Sequence, residues 1–224
     1  VNVGALSDVK INGSVRSQDE KTNLINGETV ISVYDSERSI YYSEMDFTVK
    51  QQGGLLFKGR AAVNNGLFQT QFVVPKDISY ENKNGKIIAY FSNSSADGIG
   101  YSSNIVVGGT SITTPNDNNG PEIEIYFDDA KFENSYLVNP DFALILKLKD
   151  QTGLNTSGIG IGHKLEALLN DDPSTTYDLT NSFVGDLDSG GKSGMAKYNF
   201  TSMQPGDYSL KVKAWDVFNN FSIQ

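Results

Sequence analysis

Residues 55–74 hold two period-2 runs separated by one turn, and no other stretch constrains the fold as much. Leu55, Phe57, Gly59, Ala61 and Val63 alternate with polar or small neighbours. Phe68, Thr70, Phe72 and Val74 do the same until Pro75 stops the run. A spacing of two puts each set on one face of a strand. Asn64-Asn65-Gly66 stands between them and suits a tight turn, so the pair reads as a β-hairpin. Further strands fit Val9–Val15, Thr29–Tyr34, Lys86–Phe91 and Asn104–Val107. Short strands at this spacing are the pattern of a β-sandwich.

After Val107 the pattern stops. Residues 108–121 (GGTSITTPNDNNGP) are polar and rich in turn formers, and read as an interdomain linker. Beyond it Ile123, Ile125 and Phe127 alternate with Glu122, Glu124 and Tyr126. Phe142, Leu144, Leu146 and Leu148 share a face, as do Tyr208, Leu210, Val212 and Ala214. His163–Leu169 comes nearest to a helical turn, through Leu165, Leu168 and Leu169. The expected architecture is all-β: two tandem immunoglobulin-like β-sandwich domains, 1–109 and 121–224, joined by a linker at 110–120. Phe72, Leu146 and Leu210 are expected in the cores. The chain opens at Val1 with no Met and no apolar signal region, and stops at Phe221-Ser222-Ile223-Gln224 in a strand-like run. It therefore reads as a segment of a longer protein, with its second sandwich cut at the C-terminal end.

Composition narrows the function. Eighteen Lys+Arg against 27 Asp+Glu leave a net charge of −9, which argues against nucleic acid, whose phosphates need clustered cations. Residues 1–107 carry 10 and 11 of these charges, net −1, and residues 108–224 carry 8 and 16, net −8. There is no cysteine, so disulfides, thiolate metal sites and a thiol nucleophile are all excluded from this chain. The longest apolar run, Phe142–Leu146, is far short of the ~20 residues of a membrane-spanning helix.

Ser157-Gly158-Ile159-Gly160-Ile161-Gly162-His163 resembles a phosphate-cradling loop only superficially. The dinucleotide fingerprint needs glycine where His163 stands, and no βαβ pattern surrounds it. His163 is the single histidine, so a general base of the usual kind would have to be this residue. It shares an alternating face with Ile159, Ile161 and Leu165, which favours a ring satisfied by backbone groups over a catalytic one. Asp186-Leu187-Asp188-Ser189-Gly190-Gly191 faintly matches a calcium loop. Asp186 and Asp188 are the metal candidates, although position twelve is Lys197 where that loop wants Glu. Asp128-Asp129 and Asp171-Asp172 are further carboxylate pairs, with solvated turns the simpler account. Asp216, Asn219 and Asn220 close a strand and suit a turn fixed by side chains bonding backbone N–H groups. Trp215 opposes the core-facing positions, and either covers the sheet's second face or stands exposed for contact.

Several strings in order carry a resemblance: LFKGRAAVNNGLFQTQFVVPKDISY, GKIIAYF, NGPEIEIYF, LKDQTGLNTSGIGIGHKLEALLNDD, DLDSGGKSG and PGDYSLKVKAWDVFNN. VVPKDI, NTSGIGIGH and AWDVFNN are the most specific. Nearly the whole chain resembles the C-terminal region of the gingipain-type cysteine peptidases that act as sortases of the type IX secretion system. The resemblance implies a protein exported to a Bacteroidetes-type outer membrane and displayed on the cell surface. In that family the peptidase removes the C-terminal signal domain of secreted cargo, beside a PorV-like outer-membrane barrel partner. The family's catalytic Cys and His lie in an upstream peptidase domain, so no catalytic residue carries over and His163 is not the catalytic histidine. The implied role is a non-catalytic region that braces the catalytic domain and contacts partner or cargo, with no cofactor. An adhesin or carbohydrate-binding module is the alternative, with Trp215, Tyr41, Tyr42 and Tyr101 stacking on sugars. An autonomous hydrolase would need His163 in a cleft beside a carboxylate or Ser.

Overall fold

A computed structural model describes residues 2–17, 25–112, 116–129, 137–156 and 163–224. The Gly-rich residues 157–162, with Ile159 and Ile161, lie outside them. The described chain is almost entirely β. In order, the strands are β1 (Asn2–Ala5), β2 (Asp8–Ser14), β3 (Gly27–Tyr34), β4 (Arg38–Tyr42), β5 (Phe47–Gln51), β6 (Leu55–Val63), β7 (Leu67–Val73), β8 (Lys83–Ser92) and β9 (Asp97–Thr110). They continue with β10 (Glu122–Phe127), β11 (Phe142–Lys149), β12 (Glu166–Leu169), β13 (Thr176–Asp178), β14 (Phe183–Gly185), β15 (Ser193–Phe200), β16 (Leu210–Trp215) and β17 (Phe221–Ile223). Two 3₁₀ turns, Pro173–Thr175 and Thr180–Ser182, interrupt the second half. Among the described residues no helix is long and apolar enough to cross a membrane.

The first half builds a five-stranded sheet, β1-β9-β8-β3-β6, faced by the pair β2-β7. Their inward side chains form one core that includes Ile31, Val33, Phe57, Ala61, Phe72, Val74 and Val107. The second half stacks β10-β11-β15-β14 on β13-β12-β16-β17. Leu144, Leu146, Leu148, Val212 and Ala214 lie among the buried residues between them. Alternation explains the division, because along β6, β11 and β16 every second residue is apolar or small and turned inward, so that such faces meet. Phe72 and Leu146 are buried, but Leu210 at the start of β16 is only partly so.

The stretch that looked most like a hairpin is an arch instead. Asn64 and Leu67 exchange backbone hydrogen bonds at 2.9 and 3.0 Å. Asn65 and Gly66 take φ of 51° and 75°, so the tight turn is real. Beyond it the strands part, β6 pairing with β3 and β7 with β2. Side-by-side pairing would put the two apolar faces on one sheet surface. Parting lets them close on each other, and Phe57 stacks on Phe72 at 4.0 Å between ring centroids. His163–Leu169 also differs from expectation. It forms no helical turn; β12 occupies Glu166–Leu169, with Leu165, Ala167 and Leu169 buried. Pairing with β16 supplies its backbone with partners that a single helical turn could not.

Candidate functional site at the seam between the sandwiches

Several of the residues singled out in the sequence gather where the two halves meet. VVPKDI leaves β7 and runs along the turn after β16, where Lys76 N–H donates to Val217 O at 2.9 Å. That places Asp77 against the second sandwich. One carboxylate oxygen of Asp77 contacts His163 Nδ1, and the other accepts from Asn219 Nδ2 at 3.0 Å. The ring of His163 lies 4.2 Å from that of Trp215, which also packs on Phe221 at 5.0 Å and sits under Lys213 Nζ at 4.4 Å. His163 is thus satisfied not by backbone, as its alternation suggested, but by a carboxylate of the other sandwich. A His–Asp pair could orient a base, yet here the free carboxylate oxygen is taken by an amide and the ring face by an indole. The arrangement fastens two surfaces.

A second fastening lies at the other end of the seam. The Asp186–Gly191 turn runs beside β6, where Leu187 bridges Arg60 in parallel. Asp188 N–H donates to Arg60 O at 3.0 Å, and Asp188 Oδ1 accepts from Ala62 N–H at 2.8 Å. Asp186 Oδ2 accepts from Ser193 Oγ at 2.6 Å. Gly190, at φ +63°, passes so close to β7 that a Cβ would lie 2.1 Å from Gln71 O. The two calcium candidates therefore serve a turn that clasps the first sandwich. Asp128 Oδ1 accepts from Ala143 N–H, Asp171 pairs with Lys211 and Asp172 caps the first 3₁₀ turn through Ser174 N–H, so these pairs too have local partners.

The sequence did not reveal how three other carboxylates converge. Asp117 before β10, Asp150 after β11 and Asp216 after β16 bring ligand oxygens within 4.8 Å of one another. Thr152 Oγ1 reaches both Asp117 Oδ2, at 2.6 Å, and Asp150 Oδ1, at 2.8 Å, with one hydrogen to give. Asp216 is fully buried. Its carboxylate accepts from Phe218 N–H, Asn220 N–H and Asn220 Nδ2 at 2.7–2.9 Å, the side-chain-fixed turn expected of this stretch. Burial pushes its carboxyl above the ordinary carboxylate range, and the charge of Asp150 adds to the shift. Asn220 Nδ2 also reaches Asp117 O at 3.1 Å, tying the segment before β10 to the same turn. Chemically the three oxygens could hold a hard divalent cation, although each is equally a turn-forming residue. The only sequence signal was an Asp at each segment end.

The four aromatic residues named as sugar-stacking candidates do not share one face. Trp215 is covered by His163 and Phe221. Tyr41 and Tyr42 are adjacent on β4 and so point to opposite faces of an exposed hairpin. Tyr101 stands on β9, in another sheet.

No protein-family profile matches this chain, and no curated protein matches it. Among solved structures, the whole chain is similar to part of dimeric latent PorU from Porphyromonas gingivalis, at 25% sequence identity and a TM-score of 0.56. The chain spans 22% of the length of that PorU chain.

Proposed function

We propose that this chain is a non-catalytic brace within a PorU-like protein: two sandwiches, 1–109 and 121–224, joined through 110–120 and locked along their seam. The observation that carries the reading is the set of hydrogen bonds fastening both ends of that seam. Asp77 with His163 and Asn219, and Lys76 with Val217, hold one end. Asp188 with Arg60 and Ala62 holds the other. Two separated clasps resist both hinge and twist, which a single flexible linker does not. Such a unit holds whatever flanks it at a fixed span. In a PorU-like protein the flanking part is an upstream peptidase domain of gingipain type, and the further partners are a PorV-like barrel and secreted cargo signal domains, all at the cell surface. The similarity to PorU over the whole chain supports this reading. The lack of cysteine agrees with it, since a thiol peptidase needs a thiolate beside its base.

Two measurements test it. Spin labels on exposed Ser103 and Lys197 should give one narrow distance distribution, broadened when Asp77→Ala and Asp188→Ala are combined. A broad distribution in the unaltered chain would refute the brace. The purified chain should also fail to cleave cargo signal-domain peptides. Turnover that vanishes in His163→Ala would make the module an enzyme instead.

A further inference from the structure

Among the described residues the two layers of the first sandwich are unequal. Five strands face only two, and a cavity of about 610 Å³ opens between the edge of β2 and the N-terminal half of β9. Two features make the hollow. Gly100 and Ser102 on β9 pair with Ala89 and Ile87, which pack on the core, so they face inward as well; Gly98 pairs with buried Phe91. A Cβ placed on Gly98 or Gly100 would meet nothing within 4 Å. Opposite them Val9 and Ile11 on β2 pack on the core but stay partly exposed.

The β2 rim of this hollow is a strand edge that no other described strand pairs with. β2 pairs with β7 alone, and β1 meets β9 only at Val106, Val107 and Thr110. The pairing phase of β2 is fixed: Val15 N–H donates to Gly66 O, and Ser7 O accepts from Val74 N–H. By the two-residue period the odd residues direct their backbone groups to β7. Lys10, Asn12 and Ser14 direct theirs to the open edge. The same even positions, with Arg16, hold the solvent-facing side chains. In a chain of net charge −9, the charged groups among the described residues lining this cavity are Lys10 and Arg16.

We infer that this hollow receives an added β-strand: an extended peptide segment pairing with the open edge of β2, apolar at alternate positions and acidic on its outward face. Its inward side chains fill the space above Gly98 and Gly100, and its backbone satisfies Lys10, Asn12 and Ser14. Cross-strand neighbours on the outward face are Lys10 and Arg16, roughly 20 Å apart at about 3.3 Å per residue. The complement is an acidic residue at each end of a seven-residue strand with three apolar residues between. Strand addition of this kind draws affinity from the backbone and specificity from alternate pockets. Its occupant is independent of the bracing role.

The probe is fluorescein-labelled acetyl-Glu-Val-Thr-Ile-Thr-Val-Glu-amide, titrated with the whole chain by fluorescence anisotropy. Saturable binding is expected, weakened at least tenfold when Lys replaces both Glu in the peptide. Asn12→Pro should weaken it equally. The N–H it removes points to the open edge, so the β2–β7 ladder stays whole. Gly100→Leu should fill the hollow from within, abolishing binding while the melting temperature holds or rises. If either variant misfolds, the surface pair Lys10→Glu with Arg16→Glu, which touches no core residue, should reverse the preference towards the Lys peptide. No saturable binding up to millimolar chain, or binding unchanged by Asn12→Pro and by the charge reversal, would overturn the assignment. So would dodecanoate binding that persists in Asn12→Pro while the peptide fails to bind, since that would make the hollow a site for an amphiphile.

Discussion

Replacing Gly190 by Ala tests the clasp between the sandwiches, with Gly109→Ala as its internal standard. Both glycines adopt positive φ, +63° and +76°, where an L side chain costs about 1–2 kcal/mol. Around Gly109 the added methyl meets nothing within 4 Å, so that backbone term is its whole expected effect. At Gly190 the methyl would stand 2.1 Å from Gln71 O, a backbone atom that cannot rotate away. The turn must lift, and it carries both Asp188 hydrogen bonds to β6, at 3.0 and 2.8 Å. Each is worth about 0.5–1.5 kcal/mol net, and their solvent exposure argues for the lower half of that range. Gly190→Ala should therefore cost about 2–4 kcal/mol, against about 1–2 kcal/mol for Gly109→Ala. Urea unfolding followed by tyrosine and tryptophan fluorescence reads both, and the difference between the variants isolates the seam. Trp215 reports the second sandwich, so early loss of coupling would also split the transition seen by the two probes. If the two substitutions cost the same within about 0.5 kcal/mol, the turn does not bear on β7 and the clasp reading fails.

Leu146→Ala, at a fully buried position, should cost about 2–5 kcal/mol, with Leu210→Ala well below it. Equal losses, or under about 0.5 kcal/mol at Leu146, would show the register of β11 to be misread. Limited proteolysis should nick residues 110–120 first and leave two folded pieces, whereas a first cut within Leu55–Val73 would contradict the two-unit organisation. Asp216 holds its proton more tightly folded than unfolded. Its contribution to stability is therefore present below the unfolded carboxylate pKa of 3.8 and is lost as pH rises through the raised folded value. The stability gap between the unaltered chain and Asp216→Asn should accordingly widen from pH ~7 to pH ~4, and a gap that narrows on acidification would reverse the assignment. Glu28 carries the opposite sign, because the bond from Arg60 lowers its pKa. What this pair contributes is present at neutral pH and lost as pH falls through the lowered value, and Glu28→Gln should cost about 0.2–1 kcal/mol at pH ~7.

Strands were legible because alternation is a local property. β2, β3, β8, β10 and β11 lie within a few residues of the runs read from Val9, Thr29, Lys86, Ile123 and Phe142. Pairing was not legible where a turn is compatible with two outcomes. Asn64-Asn65-Gly66 reverses the chain equally well for a hairpin or an arch, and only the competing partners β3 and β2 decide. The site was harder still. Asp77 and His163 come from different sandwiches, and Asp117, Asp150 and Asp216 from three separate segments. No spacing rule links residues that only tertiary folding brings together, so sequence could mark His163 as unusual but not supply its carboxylate.

The pairing of β1 with β9 sets an order of events for the first sandwich. Asn2 lies against Val106 in a parallel ladder, so β1 is made before β2–β8 yet cannot be completed until β9 follows them. Closing a loop of that length costs entropy that grows with its logarithm, and contacts so distant in sequence form slowly. The arch around Asn64-Asn65-Gly66 is local by comparison, and can bring Phe57 onto Phe72 long before β9 exists. While the chain is synthesised from its N-terminus, Val3 and Ala5 wait as an unpaired apolar strand until residue 110 emerges. Both end fully sequestered, which makes that interval the one in which this sandwich is most open to mispairing with a neighbour.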